Sequence, residues 1–144
     1  MEISASAVRA AHDLRVGVGR LRRRFREVTD RRELTPSQVS VLSRLGKQGP
    51  SSASAIAAAE RVRPQSAASW LTALEERGLV QRSPDPSDGR RQVVSLSDDG
   101  REFLEDTRRS REEWLARALQ ERFTEEERRT VIEAMSLLER LVGP

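Results

Sequence analysis

The chain of 144 residues contains no cysteine and a single histidine, His12. Without cysteine it can form no disulfide scaffold, no thiolate site for zinc or an iron–sulfur cluster, and no catalytic thiol. One histidine leaves metal-histidine clusters and catalytic triads of the Ser-His-Asp type without material. We therefore predict no catalytic site, no metal site and no cofactor.

Long apolar stretches are also missing. No run in the sequence approaches the roughly 20 apolar residues that a transmembrane helix needs. The first residues lack the basic segment, followed by an apolar one, that marks a secretory signal. These absences predict a soluble, cytoplasmic protein with no membrane partner.

Charge is plentiful but unevenly distributed. The 26 basic residues are all arginine except Lys47, and they outnumber the 23 acidic residues to give a net charge of +3. Residues 1–97 hold 17 basic and 10 acidic side chains, a net charge of +7, whereas residues 98–144 hold 9 and 13, a net charge of −4. The first two-thirds of the chain is therefore the part suited to a polyanion such as DNA.

Apolar residues recur regularly at both ends of the chain. Between Ala7 and Val28 they follow alternating steps of four and three residues, which places them on one stripe of a helix. Two more helices are predicted near the C-terminus, separated by a break at Phe123 and a capping box of Thr124 and Glu127. Because the core of a single chain is thin, these stripes favour packing against a second subunit.

The middle of the chain begins with two short helices. The first starts at a capping box, in which Thr35 and Gln38 each bond the backbone N–H of the other. Gly46 and Gly49 are expected to end this helix, since glycine is the usual residue after a helix. The second helix is rich in alanine and covers residues 52–60.

A third helix covers residues 64–77, opened by Pro64. Two strands follow at 79–83 and 91–97, joined by a loop at about 84–91 that is rich in proline and glycine. Three helices and a hairpin are the order of a winged helix-turn-helix, in which the third helix enters the DNA major groove and the hairpin loop is the wing. The sequence predicts a mainly α fold with a small β-hairpin.

Several motifs follow one another at fixed spacing from the third of these helices onward. In chain order they are LEERGLV at 74–80, Asp85-Pro86, Asp88-Gly89-Arg90, Ser95-Leu96-Ser97 and Gly100. This series resembles the recognition helix, wing and following helix of the multiple antibiotic resistance regulator (MarR) family. With the terminal helices included, the resemblance covers essentially the whole chain.

The resemblance implies a DNA-binding transcription regulator, most simply a repressor. Helices at 1–33 and 98–144 would join two copies into a homodimer, and the lobe at 34–97 would bind DNA. Paired lobes would bind a near-palindromic operator in double-stranded DNA. A small-molecule effector, often an aromatic anion in this family, would release the operator. His12 and Trp114 are weak candidates for contacting it, with a surface role for His12 and a core or interface role for Trp114 as the alternatives.

The same resemblance assigns DNA contacts. In the wing, Arg90 would enter or border the minor groove, and Asp88 would orient an arginine. On the recognition helix, Gln65 can pair bidentately with adenine. The remaining candidates are contacts to bases or phosphates: Ser52, Ser54, Arg63, Pro64, Ser66, Ser69, Thr72, Arg82 and Arg91. The alternative for an exposed arginine such as Arg82 is that it serves solubility alone.

The recognition helix departs from the family pattern. Arg63 stands where the family commonly has a small capping residue, and Ser69 and Ala73 stand where basic side chains are frequent. A recognition helix with so little charge is expected to rely on Arg63, the wing and arginines of the first helix for its affinity.

Two other functions compete with specific operator binding. A protein-interaction module using the winged helix as a docking surface would need an acidic or apolar outward face on 64–77, whereas Gln65, Ser66, Ser69 and Thr72 are neutral and polar. A protein that coats DNA would show steep salt dependence without a preferred site. An enzyme is the least supported function, because no nucleophile–base pair is visible.

Overall fold

A computed structural model describes residues 1–29 and 34–143. The predicted boundary of the N-terminal helix at residue 33 lies outside the described residues. Over these ranges the chain is mainly α-helical with a small antiparallel β-hairpin, so the predicted fold class is confirmed. In chain order the elements are α1 (Ala5–Thr29), α2 (Pro36–Gln48), α3 (Ala53–Glu60), α4 (Pro64–Glu76), β1 (Val80–Pro84), β2 (Gln92–Leu96), α5 (Asp98–Arg122) and α6 (Glu125–Val142).

The apolar core lies in the lobe formed by α2, α3, α4 and the hairpin. Val41 and Leu42 of α2 are fully buried there, whereas Val39, which the helical pattern turns inward, is only half-buried against the core. Trp70 is likewise half-buried at the edge of this core. The buried cluster consists of Leu34, Val41, Leu42, Leu45, Ile56, Leu71, Leu74, Leu79, Val80, Val94 and Leu96.

Both predicted capping boxes are confirmed. At the start of α2, Thr35 Oγ1 accepts the Gln38 N–H at 3.2 Å and Gln38 Oε1 accepts the Thr35 N–H at 3.1 Å. At the start of α6, the equivalent bonds between Thr124 and Glu127 measure 3.2 and 2.8 Å. Phe123 between α5 and α6 has an extended backbone, which is the predicted break. These bonds satisfy N–H groups that the first turn of a helix leaves unpaired.

The predicted end of α2 at Gly46 is wrong. The helix continues to Gln48, and it is Gly49, with a positive φ of 82°, that ends it. Gly46 instead faces α5, where a Cβ would lie 2.9 Å from Leu104 Cδ1. Its missing side chain therefore lets α2 approach α5 closely.

A backbone bridge outside its own ladder helps to anchor the hairpin to the lobe. β1 pairs antiparallel with β2, with Arg82 opposite Val94. On the other side of β2, Ser51 exchanges two backbone hydrogen bonds with Val94, at 3.0 and 2.8 Å. Since Ser51 directly precedes α3, these bonds fix the hairpin relative to the helix that precedes α4.

The terminal helices leave their apolar stripes uncovered within one chain. The 18-residue α6 has no buried residue. On α1, Gly17 and Gly19 have nothing within 4 Å of the position that a Cβ would take. The exposed large apolar side chains lie mostly on these two helices: Val8, Val18, Leu21, Ile132, Met135, Leu137, Leu141 and Val142. Exposed apolar area of this kind marks an interaction surface in soluble proteins.

Length alone would let α1 and α5, of 25 residues each, cross a membrane. Over residues 1–29 and 34–143, however, no helix is both long and apolar enough to do so. The same ranges contain no group of three or more histidine or acidic side chains that could hold a metal ion.

Gly100 supplies a stability prediction. It lies in the first turn of α5, and a Cβ there would lie 2.0 Å from the backbone oxygen of Leu79. Gly100→Ala must therefore push α5 away from the base of the hairpin. We expect a loss of about 1–3 kcal/mol in the free energy of unfolding, measured by urea denaturation.

The matched control is Gly89→Ala in the wing, where nothing lies within 4 Å of the added carbon. We expect this variant to change stability by less than about 0.5 kcal/mol. Equal urea midpoints for Gly100→Ala and the parent would contradict the close approach of α5 to Leu79.

Candidate nucleic-acid interface

Helix α4 presents a polar face to solvent. Its buried side is Ala67, Leu71 and Leu74, which belong to the lobe core. The opposite side exposes Gln65, Ser69 and Thr72, as the helical spacing predicts. Over these three residues the outward face is uncharged and can form hydrogen bonds to base edges.

Ser66 departs from its expected outward position. It is half-buried, as Trp70 is one turn further along the same helix. Residues four apart lie above one another on a helix, so Ser66 and Trp70 mark the border between the two faces. Its hydroxyl is less accessible than those of Ser69 and Thr72.

The start of α4 has no side-chain cap. Arg63 occupies the N-cap position with an extended backbone, but its side chain makes no capping hydrogen bond. Pro64 follows at the first helical position, and the first turn contains no acidic residue. Both residues are exposed. This helix end therefore presents positive charge that no neighbouring carboxylate of its first turn offsets.

Two aspartates shape the wing through backbone hydrogen bonds. Asp85 accepts the Ser87 N–H at 2.9 Å and the Ser87 hydroxyl at 2.8 Å. Asp88 Oδ1 accepts the Arg90 N–H at 3.1 Å. The hydrogen bonds from Ser87, assisted by the charge of Arg91, lower the pKa of Asp85, so its carboxylate stays ionised in the loop.

The carboxylate of Asp88 bonds the backbone of the arginine two residues later. The sequence led us to expect that Asp88 orients an arginine, and this bond shapes the turn that carries Arg90. The side chains of Arg90 and Arg91 are exposed. Within the described parts of the chain, the guanidinium of Arg90 has no carboxylate partner. It is therefore available to an anion outside the protein.

Arg82, a candidate phosphate contact, has a partner inside the protein. Its Nε lies 2.8 Å from Oε2 of Glu75, near the C-terminal end of α4. The ion pair joins β1, which leads to the wing, to the recognition helix. Sequence spacing alone did not reveal this pair, because a turn separates the two residues.

The serines before and within α3 have different roles. Ser52 is the N-cap, and its Oγ accepts the Ala55 N–H at 3.1 Å. The hydroxyl oxygen of Ser54 lies 3.2 Å from that of Ser52, and Ser54 is exposed. Ser54 is thus the more accessible of the two candidates, while the hydroxyl of Ser52 holds the start of α3.

A partly buried ion pair that the sequence did not suggest joins α2 to α3. Glu60 accepts hydrogen bonds from Ser40 Oγ, at 3.0 Å, and from Arg44 Nε, at 2.9 Å. The Glu60 side chain is only 13% exposed, so water screens this pair little. The only available signal was a lone acidic residue at the end of an alanine-rich helix.

A cavity of about 330 Å³ lies between α1, α2 and α5. Arg111 lies in its wall, with its guanidinium 5.7 Å from the Phe25 ring, and its buried Nε has no hydrogen-bond partner among residues 1–29 and 34–143. Burial lowers the pKa of Arg111. The lining residues are Arg22, Phe25, Arg26, Leu34, Pro36, Val39, Ser40, Ser43, Phe103, Thr107 and Arg111.

Neither His12 nor Trp114, the two weak ligand candidates, lines this cavity. His12 is exposed on α1. Trp114 lies behind the wall, with its ring edge-on to Phe25 at a centroid distance of 5.9 Å and with Arg24 over its face. The sequence did not indicate Phe25 and Arg111 as wall residues, because they lie on two helices that are far apart in the chain and meet only in the fold.

Comparison with known proteins gives a consistent assignment. Residues 34–92 match the MarR family model. An HTH-type transcriptional regulator of Mycobacterium tuberculosis is 40% identical over 114 residues, which make up 79% of this chain and 80% of that protein. The crystal structure of a Pseudomonas aeruginosa protein assigned as a transcriptional regulator shares 37% identity and a TM-score of 0.83, and the match covers 99% of each chain.

The same fold occurs in a protein whose structure was determined with DNA bound. A mutant of the Staphylococcus aureus protein MepR, whose structure was determined bound to an oligodeoxyribonucleotide, has a TM-score of 0.70 over 98% of this chain and 99% of its own. At 20% identity this likeness shows the fold alone. Together with the closer relatives and the matched residues of the lobe, these findings establish that the chain belongs to the MarR family of DNA-binding transcriptional regulators.

Proposed function

We propose that this protein is a repressor that binds a near-palindromic operator as a homodimer and leaves it when a small acidic effector binds. The observation that carries the proposal is the pairing of a neutral polar surface on α4, formed by Gln65, Ser69 and Thr72, with a wing whose Arg90 guanidinium has no carboxylate partner within the described chain. The first can form hydrogen bonds to base edges, and the second can enter a narrow, negative minor groove.

Uncovered apolar side chains support the homodimer. Helix α6 has no buried residue, although Ile132, Met135 and Leu141 are large and apolar. Two copies joined through α1, α5 and α6 would cover these side chains. A two-fold dimer would also space two recognition helices for successive turns of the major groove, which is the reason for a near-palindromic operator.

Specific contacts are assigned from exposure. Gln65, Ser69 and Thr72 are exposed on α4 and are the base-reading candidates. Arg63 and Pro64 at the start of α4, together with Ser54 and Arg91, are the backbone-contact candidates. The other four candidates act mainly inside the protein. Ser52 caps a helix and Ser66 lies at the border between two helix faces. Arg82 forms an ion pair and Asp88 shapes a turn.

The cavity between α1, α2 and α5 is the proposed effector site. Its volume lies at the lower end of the range for ligand pockets. An aromatic acid could stack on Phe25 and accept a hydrogen bond from the buried Arg111 Nε. The cavity joins terminal helices to the lobe. Such a ligand would therefore release DNA if it bound a lobe arrangement that does not fit the operator more tightly than the arrangement that does.

Replacement of the wing arginine tests DNA binding. Arg90→Ala should weaken operator binding about tenfold or more, roughly 1–3 kcal/mol, because it removes a charged contact to DNA. The operator is first located by footprinting on the gene's upstream DNA, and affinity is then measured by fluorescence anisotropy. Arg117→Ala, which removes an exposed arginine from α5, is the matched control. Equal affinity for Arg90→Ala and the parent would show that the wing does not contact DNA.

Breaking the Arg82–Glu75 pair tests whether Arg82 supports the wing or binds phosphate directly. Glu75→Gln keeps the shape of the side chain but removes the charge that holds Arg82 Nε. We expect operator affinity to fall about two- to fivefold, with stability lower by less than about 1 kcal/mol. A rise in affinity would instead mean that Arg82, once released, binds phosphate.

The effector site predicts a response to benzoate. Benzoate should weaken operator binding by the parent, and Arg111→Gln should reduce that response at least about fivefold, because an ionic hydrogen bond to the carboxylate is lost. Benzamide, which has the same shape without the charge, should act more weakly. Arg109→Gln, an exposed neighbour on α5, is the control. An unchanged benzoate response in Arg111→Gln would refute this site.

A further inference from the structure

Arg61 has an unusual backbone conformation at the turn between α3 and α4. Its φ of 56° and ψ of 45° lie in the left-handed region, and it is the one non-glycine residue with positive φ over residues 1–29 and 34–143. The Val62 N–H donates to the Ala57 oxygen at 3.0 Å, and the Arg61 N–H donates to the Ala58 oxygen at 3.2 Å. These two bonds form a Schellman motif, in which the left-handed position usually belongs to glycine.

An arginine at this position carries a steric cost. The Cβ of an L-residue in the left-handed region lies too close to the following carbonyl oxygen, and glycine avoids this contact. Asparagine and aspartate tolerate the region better because their short side chains bond locally. Arginine has neither advantage. Strain of this kind persists where another requirement outweighs it, and such positions cluster at functional sites.

The side chain of Arg61 is also without a partner in the described parts of the chain. Arg61 is exposed, and within the described residues its guanidinium has no hydrogen-bond or ion-pair partner. Arg63 follows two residues later, and the first turn of α4 contains no acidic residue. Arg63 therefore lies at the positive end of the α4 dipole. Arg61 lies at the C-terminal end of α3, whose dipole favours a cation but offers it no side-chain partner.

We infer that Arg61 binds a backbone phosphate of the operator. This contact is the reason for an arginine at a position that usually belongs to glycine. The inference rests on the proposed function. Helix α4 itself carries no basic side chain, so the electrostatic part of the affinity must come from cations on either side of it in the chain. Arg61 precedes α4 and Arg90 follows it, and each is exposed with no side-chain partner for its guanidinium among the described residues.

Two substitutions separate the charge from the turn. Arg61→Gly and Arg61→Asn both suit the left-handed conformation, so each variant keeps the fold and unfolds at the parent's temperature or up to about 3 °C above it. Both should nevertheless bind the footprinted operator about five- to tenfold more weakly. In each, the slope of log affinity against log salt concentration should become shallower by about 0.9 for each subunit. Arg61→Lys, which retains the charge, should keep the parent's salt slope.

Arg117→Gln on α5 is the control for simple loss of positive charge, and its salt slope should match that of the parent. Equal affinity and salt slope for the parent, Arg61→Gly and Arg61→Asn would overturn the role of Arg61. So would an Arg61→Lys variant that binds as weakly as Arg61→Gly with the same reduced slope. If the parent itself protects no DNA site, the proposed function fails, and the role of Arg61 falls with it.

Discussion

The junction between the hairpin and α5 determines how the DNA-facing lobe is held by the long helices. The Ser97 hydroxyl donates to the Gly78 oxygen at the end of the recognition helix and accepts the Gly100 N–H at 3.0 Å. The Ser97 N–H donates to the Leu79 oxygen at 3.1 Å, and Gly100 allows α5 to pass against the same carbonyl. Because the junction has no spare volume, a rotation of α5 must also move the end of α4. The cavity wall at Arg111 belongs to the same α5, so the ligand that we propose for it would be connected to the recognition helix through α5.

The elements of the fold could be predicted because their signals are local. The capping box of Thr35 and Gln38 lies within four residues, and the order of three helices and a hairpin is visible without any tertiary contact. Gly46 was misassigned for the opposite reason. Its local pattern is that of a helix end, but the reason for the glycine is Leu104, which lies on another helix and far along the chain.

The site was predicted as a set of residue types, but the partner of each residue was not. Arg82 was expected to contact phosphate and Asp88 to orient an arginine, and the structure pairs Arg82 with Glu75 and Asp88 with the backbone of Arg90. A sequence shows that a charged side chain is near a motif, whereas its direction depends on neighbours brought close by folding. The cavity was beyond sequence analysis altogether, since α1, α2 and α5 each supply part of its wall.

The backbone bonds between Ser51 and Val94 have a consequence for solubility. In a two-stranded sheet, both outer edges could accept a strand from another molecule, and β2 carries the more apolar sequence. Val94 directs its N–H and its carbonyl to Ser51 and so has no backbone group left for an incoming strand. The connection that positions α3 thereby also blocks the middle of an aggregation-prone edge, and it does so without a charged residue or a proline in β2.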